Sequence, residues 1–199
     1  LSLNITQFTC SDVGAQPVEL TVADECGVAS TATAIVQVTA SDESDPTFSN
    51  LPGDITQTAD PDMCSAAVTW VNPSVADNCG AGTLTTSHDP NDVFPVGTTT
   101  VTFTADDGNG NTSTATMDIT VTDDEDPEIT NMPSNFDVGT DPTACGAVVT
   151  WDAPQATDNC ALASFTGTHS SGDTFPLGAT IVTYTAADTS GNSIQQSFT

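Results

Sequence analysis

The sequence predicts an all-β protein made of tandem immunoglobulin-like β-sandwich modules in an elongated array. Two observations lead to this prediction. A motif that runs from Cys64 to Cys79 recurs 81 residues later, from Cys145 to Cys160. In addition, Thr, Val, Ala, Asp and Gly dominate the composition, and only 6% of the residues are aromatic. Such a composition is typical of short strands joined by polar turns.

Each copy of the motif predicts one core strand and the loop that follows it. In the first copy, apolar side chains recur at every second position from Cys64 to Trp70, which places them on one face of a sheet. Pro73 then interrupts the hydrogen-bond ladder, and Asp77-Asn78-Cys79 forms a turn. Because the tryptophan continues the apolar face, we predict that Trp70 and its counterpart Trp151 lie in the core and do not form a sugar-binding platform.

Two long strands are predicted after the Phe-Pro-x-Gly segments that begin at Phe94 and Phe175. Their alternating apolar residues are interrupted by Asp-, Asn- and Gly-rich segments, residues 106–111 and 188–192, which predict hairpin loops. With the shorter strands before them, about seven strands fall in roughly 80 residues, which is the strand density of an immunoglobulin-like sandwich.

The repeat divides the chain into three predicted domains. Residues 1–44 resemble the back half of a module, residues 45–125 form one full module, and residues 126–199 form a second module with a truncated last strand. Each full module starts at an Asp-Pro pair, and proline favours an extended, fairly stiff beginning. The partial module has an open sheet edge, which either an upstream segment or a strand from another copy could complete.

The charge balance restricts the possible partners. The chain has 27 acidic residues, mostly Asp, with no Lys or Arg, and its formal net charge is -27. Nucleic acid and anionic membrane surfaces are therefore disfavoured as partners, and direct membrane insertion is not expected. Self-repulsion of this size must be screened by salt, offset by bound cations or spread along an elongated molecule.

The cysteines fall into three pairs whose members lie close together in the sequence. This spacing predicts local disulfides, each worth about 3 kcal/mol in the chain-entropy model, in an oxidising extracellular compartment. The chain carries no signal peptide or transmembrane run, so we expect it to be a segment of something longer. The predicted pairs are Cys10 with Cys26, Cys64 with Cys79, and Cys145 with Cys160.

The pattern Cys-x5-Trp-x2-Pro-x3-Asp-Asn-Cys, followed by Phe-Pro-x-Gly and a Gly-Asn turn, resembles the hyalin repeat (HYR) module over about residues 45–199. This resemblance implies an immunoglobulin-like fold, an extracellular location and a role in adhesion or as a spacer. Many HYR modules carry a cysteine in the last strand, after Gly-Asn, and this sequence has none at Asn111-Thr-Ser or Asn192-Ser-Ile. The cysteine pairing is therefore argued from this sequence itself.

Acidic residues are predicted to meet where each full module begins. The loop after the tryptophan strand, the last hairpin loop and the entering chain share one end of such a sandwich. Oxygen donors in this number suit Ca²⁺, which takes six to eight of them; the alternative is that Asp and Asn occupy ordinary turns. The candidate ligands are Asp42, Glu43, Asp45, Asp77, Asn78 and Asp106 at the first junction, and Asp123, Asp124, Asp126, Asp158, Asn159 and Asp188 at the second.

No catalytic constellation is predicted. His88 and His169 occupy equivalent positions, and each lacks a second histidine in its own module, so both are interpreted as surface or structural residues. The paired carboxylates Asp106-Asp107 are not reproduced in the second copy, which reads Ala187-Asp188, and this argues against glycoside hydrolysis.

We therefore predict a mechanical role, as a calcium-stiffened spacer in a long cell-surface adhesin, stalk or filament. The expected partners are neighbouring modules of the same or like chains, with surface glycans or proteins as further candidates. Two alternatives remain open at this point. The chain could be a filament subunit completed by strand addition in trans, or a carbohydrate-binding module of a secreted enzyme.

Overall fold

The computed structural model describes residues 1–39, 42–80, 82–142 and 145–199, and these residues confirm the all-β class. Within them the only helical element is a single 3₁₀ turn, Cys10–Asp12, and no helix is long and apolar enough to cross a membrane. The strands are β1 (Ser2–Leu3), β2 (Gly14–Ala23), β3 (Ala29–Val38), β4 (Thr47–Ser49), β5 (Ile55–Thr58), β6 (Ser65–Ala67), β7 (Ser74–Ala76), β8 (Thr83–Thr86), β9 (Val93–Pro95), β10 (Gly97–Asp106), β11 (Thr112–Thr122), β12 (Glu128–Thr130), β13 (Gly146–Val148), β14 (Gln155–Thr157), β15 (Leu162–Gly167), β16 (Thr174–Pro176), β17 (Val182–Asp188) and β18 (Ser193–Phe198).

The described chain separates into two compact units. The first unit contains residues 1–54, 69–90 and 100–118, and the second contains residues 55–68, 91–99 and 119–199. Strands β10 and β11 are long enough to contribute residues to both units.

The N-terminal segment forms an antiparallel sheet in the order β1-β2-β3 within the first unit. The predicted turn between β2 and β3 is present, and Asp24 closes it. The Asp24 Oδ1 atom accepts hydrogen bonds from the amides of Cys26 and Val28, both at 2.9 Å. Ile35 of β3 is 68% exposed, so this sheet leaves apolar surface uncovered.

The rest of the first unit contains the pairs β4-β7 and β8-β10, both antiparallel. Side chains alternate along β10, and the inward row, Val101, Phe103 and Ala105, is completely buried. Trp70 is only 9% exposed, and its indole Nε1 donates to Asn72 Oδ1 at 2.8 Å. The prediction that Trp70 is a core residue is confirmed.

In the second unit the same pairing pattern recurs on the second copy of the motif. Strands β12-β14, β13-β16 and β15-β17-β18 repeat the arrangement of β4-β7, β6-β9 and β8-β10-β11. The core of this copy includes Ile129, Val182, Tyr184, Ala186 and Phe198.

Trp151 is only half-buried, unlike Trp70, although it packs against the same core. Its ring lies 5.3 Å from the Phe198 ring in an edge-on arrangement, and its Nε1 donates to the Tyr184 hydroxyl at 2.8 Å. The prediction of a core position therefore holds for its contacts but overstates its burial. The exposed side of Trp151 faces an open groove in the second unit.

The predicted cysteine pairing is wrong. The structure joins Cys10 to Cys79 within the first unit and Cys64 to Cys160 within the second, with Cα–Cα distances of 5.0 and 4.7 Å. Cys26 and Cys145 are free and exposed. None of the three local pairs, Cys10–Cys26, Cys64–Cys79 and Cys145–Cys160, is formed.

The physical reason for this correction is the extended chain inside each motif. Residues 146–157 contain β13, β14 and a connecting stretch with no turn or bend, and each extended residue advances the chain by about 3.3 Å. Strand β13 pairs with β16, whereas β14 pairs with β12. A disulfide needs Cα atoms within about 7 Å, so an extended segment of this length keeps Cys145 away from Cys160.

Truncation of Trp70 should be strongly destabilising. We expect Trp70→Ala to lower the free energy of unfolding by about 3–5 kcal/mol, because the buried ring leaves a cavity that the sheets cannot close. Urea denaturation followed by circular dichroism measures this loss. Val71→Ala is the matched control, since Val71 is 82% exposed and should change stability by less than about 0.5 kcal/mol. Equal effects of the two substitutions would contradict the core assignment.

Peptide mapping under non-reducing conditions should recover the long-range disulfides. The chain has no trypsin site, so cleavage at acidic residues is required. We expect peptides that link Cys10 to Cys79 and Cys64 to Cys160, with Cys26 and Cys145 blocked by an alkylating agent. Recovery of Cys64 bonded to Cys79 would contradict the structure and restore the local pairing.

Candidate metal centre

Three carboxylates converge in the second unit. Asp123, Asp158 and Asp188 each offer one oxygen, and these oxygens lie within 4.8 Å of one another. Asp123 and Asp188 are buried, with 8% and 4% of their surfaces exposed. Three negative charges at such distances repel one another unless donors or a cation compensate them.

Asp158 is positioned by the turn that follows β14. Its Oδ1 atom accepts hydrogen bonds from the amides of Cys160 at 3.0 Å and Ala161 at 2.9 Å. This is the local side-chain-to-backbone bonding that favours Asp in turns. The disulfide from Cys160 to Cys64 anchors the same turn. One oxygen of Asp158 is therefore fully used by the backbone, and the other is left for a different partner.

Asp188 ends β17 and closes the hairpin loop to β18. Its Oδ1 accepts from the amides of Ser190, Gly191 and Asn192, and its Oδ2 accepts from Asn192 Nδ2 at 2.7 Å. Burial raises the pKa of Asp188, but these hydrogen bonds outweigh burial and hold the pKa below its ordinary value. The carboxylate is thus kept charged.

Asp123 belongs to the segment that enters the second copy. Its backbone carbonyl accepts from Asn192 Nδ2 at 3.1 Å, and its Oδ2 accepts from the Ser190 hydroxyl at 3.2 Å. Asn159 Nδ2 donates to the Met63 carbonyl at 3.1 Å and lies 3.4 Å from Asp123 Oδ1. The entering chain, the motif loop and the hairpin loop therefore meet at one point in this unit.

Two oxygens at this point have no hydrogen-bond partner among the described residues. Asp158 Oδ2 and Asn159 Oδ1 are both buried and unsatisfied. A buried acceptor without a donor costs about 1–3 kcal/mol, and the chain has no Lys or Arg to supply one. Carboxylate and amide oxygens are ligands that Ca²⁺ prefers, so the residues present fit a hard divalent cation.

The first copy of the motif has a related but weaker cluster in the first unit. Asp42 and Asp77 are brought together beside Cys79. Cys79 is bonded to Cys10, so its sulfur is not available as a thiolate ligand. Asn111 Nδ2 donates to the Asp42 carbonyl at 3.1 Å, the same contact that Asn192 makes with Asp123.

A family model for the HYR domain matches the chain twice, over residues 41–121 and 122–199. The chain belongs to the HYR domain family. The resemblance inferred from the motif is thereby confirmed, and the two matches are called the first and second HYR repeats below.

Curated relatives carry the same sequence pattern over most of this HYR chain. Hyalin of Lytechinus variegatus is 36% identical over 187 residues, which is 90% of this chain and 34% of that protein. The sushi, von Willebrand factor type A, EGF and pentraxin domain-containing protein 1 of Rattus norvegicus is 34% identical over 145 residues, 71% of this chain and 4% of that protein. The chain thus spans about a third or less of these two relatives.

Cadherin structures are similar in outline. The protocadherin gammaB7 EC3-6 cis-dimer matches 97% of this chain and 59% of its own, with 15% identity and a TM-score of 0.45. Human CDH23 EC21-23 matches 92% of this chain and 72% of its own, with 19% identity and a TM-score of 0.41.

The HYR chain is an extracellular, adhesion-type repeat segment and not an enzyme. The disulfides of Cys10 and Cys64 fit an oxidising compartment.

The structure does not gather all of the candidate ligands. Asp42, Asp77, Asp123, Asp158 and Asp188 fall in the two clusters, and Asn159 adjoins the second. The other acidic candidates are exposed and lie outside both clusters among the described residues. These are Glu43, Asp45, Asp106, Asp124 and Asp126; Asn78 is also exposed.

Sequence reasoning missed the hairpin partner in the first HYR repeat. Asp107, and not Asp106, is the counterpart of Asp188, because its Oδ1 accepts from the amides of Asn109, Gly110 and Asn111. Burial raises the pKa of Asp107, but these bonds and the Asn111 side chain lower it below its ordinary value. The constant offset between the repeats and the shared Asp-x3-Asn spacing are the signals that could have identified Asp107, Asn111 and Asn192.

The two histidines contact neighbouring side chains. His169 packs on the Phe175 ring at 5.0 Å between centroids, and its Nδ1 lies 3.2 Å from the Thr168 hydroxyl. His88 Nδ1 lies 3.1 Å from the Ser87 hydroxyl. These contacts are structural.

The stability contributed by Asp188 should depend on pH. Because its folded-state pKa is depressed, Asp188 stabilises the fold above the unfolded-state pKa of about 3.9 and loses that effect as pH falls through the folded-state pKa. We expect Asp188→Asn to cost about 1–3 kcal/mol at pH 7, since its amide would face the donor Asn192, and much less near pH 2. Urea midpoints from pH 7 to pH 2, measured in chelator, test this expectation.

The matched control for this measurement is Asp152→Asn, which removes one charge from an exposed residue. It should show no comparable penalty at pH 7. A penalty in Asp188→Asn that stays constant down to pH 2 would exclude the carboxylate as its cause.

Proposed function

We propose that this chain is a calcium-stiffened spacer segment of a long extracellular adhesin, stalk or filament. The observation that carries the proposal is the pair of buried acceptors, Asp158 Oδ2 and Asn159 Oδ1, that have no donor among the described residues. They lie beside Asp123 and Asp188, whose carboxylate oxygens already accept hydrogen bonds from protein donors.

Asp123, Asp158, Asn159 and Asp188 would hold the cation. Bound Ca²⁺ supplies positive charge and additional coordination bonds at a point where the chain offers only acceptors. The protein's own residues fix the geometry: backbone amides hold Asp158 and Asp188, and Asn192 ties the hairpin loop to the Asp123 carbonyl. A cation there would bridge the entering segment to both loops.

The mechanical consequence follows from which segments are joined. Asp123 lies where the second HYR repeat begins, whereas Asp158 and Asp188 lie in its loops. Without the cation, mutual repulsion of the carboxylates favours separation of these segments. With it, the start of the repeat is held against its loops, and a chain of such repeats resists bending.

The disulfide from Cys64 to Cys160 supports the same role. Cys64 belongs to the first HYR repeat and Cys160 to the second. A covalent bond between successive repeats stops them from separating under tension, a property that suits a load-bearing spacer more than a ligand-binding module.

Calcium should raise the melting temperature of the full chain. At a hundredfold excess over Kd, a ligand that binds only the folded state contributes about 2.7 kcal/mol, or roughly 5–10 °C for a chain of this size. We expect Asp158→Asn to lose this response, because Asn keeps the Oδ1 acceptor for two amides but removes the charge and the free carboxylate oxygen. Thermal denaturation in calcium and in chelator measures the shift.

Two controls separate a site from general screening. NaCl at equal ionic strength should not reproduce the rise in melting temperature. It screens all exposed carboxylates alike, but it does not supply a divalent cation to the site. Asp152→Asn should retain the full calcium response.

Small-angle scattering of the full chain should show a larger maximum dimension in calcium than in chelator. Calcium binding without such a change would support the site and disprove the stiffening.

A further inference from the structure

Cys145 occupies the position in the second HYR repeat that Cys64 occupies in the first. Cys64 is bonded to Cys160, the cysteine of the Asp-Asn-Cys loop of the repeat that follows it. The disulfide of Cys10 has the same form, because its partner Cys79 is the Asp-Asn-Cys cysteine of the first repeat. Cys145 is free and exposed.

The backbone holds Cys145 in the same local geometry as the bonded Cys64. In both repeats an aspartate shortly before the cysteine closes the loop, and the carbonyl of the cysteine accepts an amide from the Phe-Pro segment. The matching hydrogen bonds are Asp60 N to Ser65 O at 2.8 Å and Asp141 N to Gly146 O at 2.9 Å; Ala67 N to Asp60 Oδ2 at 3.1 Å and Val148 N to Asp141 Oδ2 at 3.2 Å; and Val96 N to Cys64 O at 3.2 Å and Leu177 N to Cys145 O at 3.3 Å.

A second observation points to the same end of the second repeat. An open groove of about 230 Å³ is lined there by Phe136, Val138, Trp151 and Phe198, among other residues. Phe136 and Val138 are 37% and 52% exposed. The groove therefore exposes apolar side chains beside β13, the strand that follows Cys145.

In the first repeat, residues of β11 fill the place that corresponds to this groove. Ile55, the counterpart of Phe136, belongs to β5, which pairs in parallel with β11 in the register Ile55 to Ile119. Ile119 and Val121 are 0% and 1% exposed. These residues lead directly into the second repeat.

We propose that Cys145 is the acceptor site for a third HYR repeat and forms a disulfide with its Asp-Asn-Cys cysteine. The strand that leads into that third repeat, with apolar residues at alternate positions, occupies the groove. The occupant is a following repeat of the same chain. The proposal rests on the tandem-array part of the proposed function and is independent of calcium.

The bond forms by thiol–disulfide exchange. The Cys145 thiol and the incoming cysteine thiol together lose two protons and two electrons and form one S–S bond. A low-molecular-weight disulfide, such as oxidised glutathione, accepts them and is cleaved to two thiols. In such an array, the Asp-Asn-Cys cysteine of each repeat is bonded to the preceding repeat. The first cysteine of each repeat is bonded to the following repeat.

The test extends the full chain by a copy of residues 119–199 placed directly after Thr199. This extension restores the residues equivalent to Ile119 and Val121 and supplies one further Asp-Asn-Cys loop. The extended chain is folded in a glutathione redox buffer that contains chelator, so that failure of the calcium site cannot affect the result. Free thiols are alkylated and non-reducing peptides are mapped.

We expect Cys145 to be linked to Cys160 of the appended copy, with two alkylated cysteines per chain, Cys26 and the appended Cys145. The matched control replaces the appended Cys160 by serine and should give three alkylated cysteines, the third being the original Cys145. An alkylated original Cys145 in the extended chain overturns the proposal, as does a disulfide-linked multimer, which would assign Cys145 to contacts between chains.

A second variant tests the proposal without the extension. In the full chain with Cys64→Ser, Cys160 loses its partner, and we expect Cys26, Cys145 and Cys160 all to be alkylated in monomeric protein. Formation of a Cys145–Cys160 bond within one chain would show that the cysteine of the same repeat is within reach, and the proposal would be wrong.

Discussion

The chain carries 27 acidic side chains and no Lys or Arg. No such side chain can form an ion pair with them, so each carboxylate must remain in water, accept hydrogen bonds from amides and hydroxyls, or meet a cation from outside. Asp107 and Asp188 illustrate the second solution, since each is surrounded by backbone amides and one asparagine. At Asp158, Oδ1 accepts both amide hydrogen bonds of the turn. The buried Oδ2 has no donor among the described residues, and this oxygen is the basis of the proposed dependence on a divalent cation.

The disulfides join segments that are distant in sequence and do not close short local loops. Their partners are separated by 69 and 96 positions. In the chain-entropy model, closing loops of this length restricts the unfolded chain by about 4–5 kcal/mol each, more than the roughly 3 kcal/mol expected for a short local loop. The bond from Cys64 to Cys160 therefore stabilises a repeat and also couples it to its neighbour. This coupling suits an extracellular segment that is similar to only a part of each of two longer relatives.

Much of the local structure could be predicted from the residues alone. The alternation around Val101 and Phe103, the Asp24 turn and the core position of Trp70 all follow from short-range pattern and turn chemistry. The sequence analysis named Asp106, whereas the constant offset between the repeats and the Asp-x3-Asn spacing make Asp107 the counterpart of Asp188, and the amide hydrogen bonds of the hairpin loop agree with this. The motif identifies Asn159 as a ligand candidate, whereas its contact with the Met63 carbonyl, from the preceding repeat, does not follow from spacing.

The all-β class, the tandem repeat, the family and the excess of acidic side chains can all be predicted from composition, period and motif. Which cysteines pair and which acids converge depends on how the strands assemble. The short spacing from Cys145 to Cys160 favours a local loop, but sheet pairing holds the intervening segment extended and prevents its closure. Convergence of Asp123, Asp158 and Asp188 likewise depends on three segments distant in sequence that meet only when the strands are assembled.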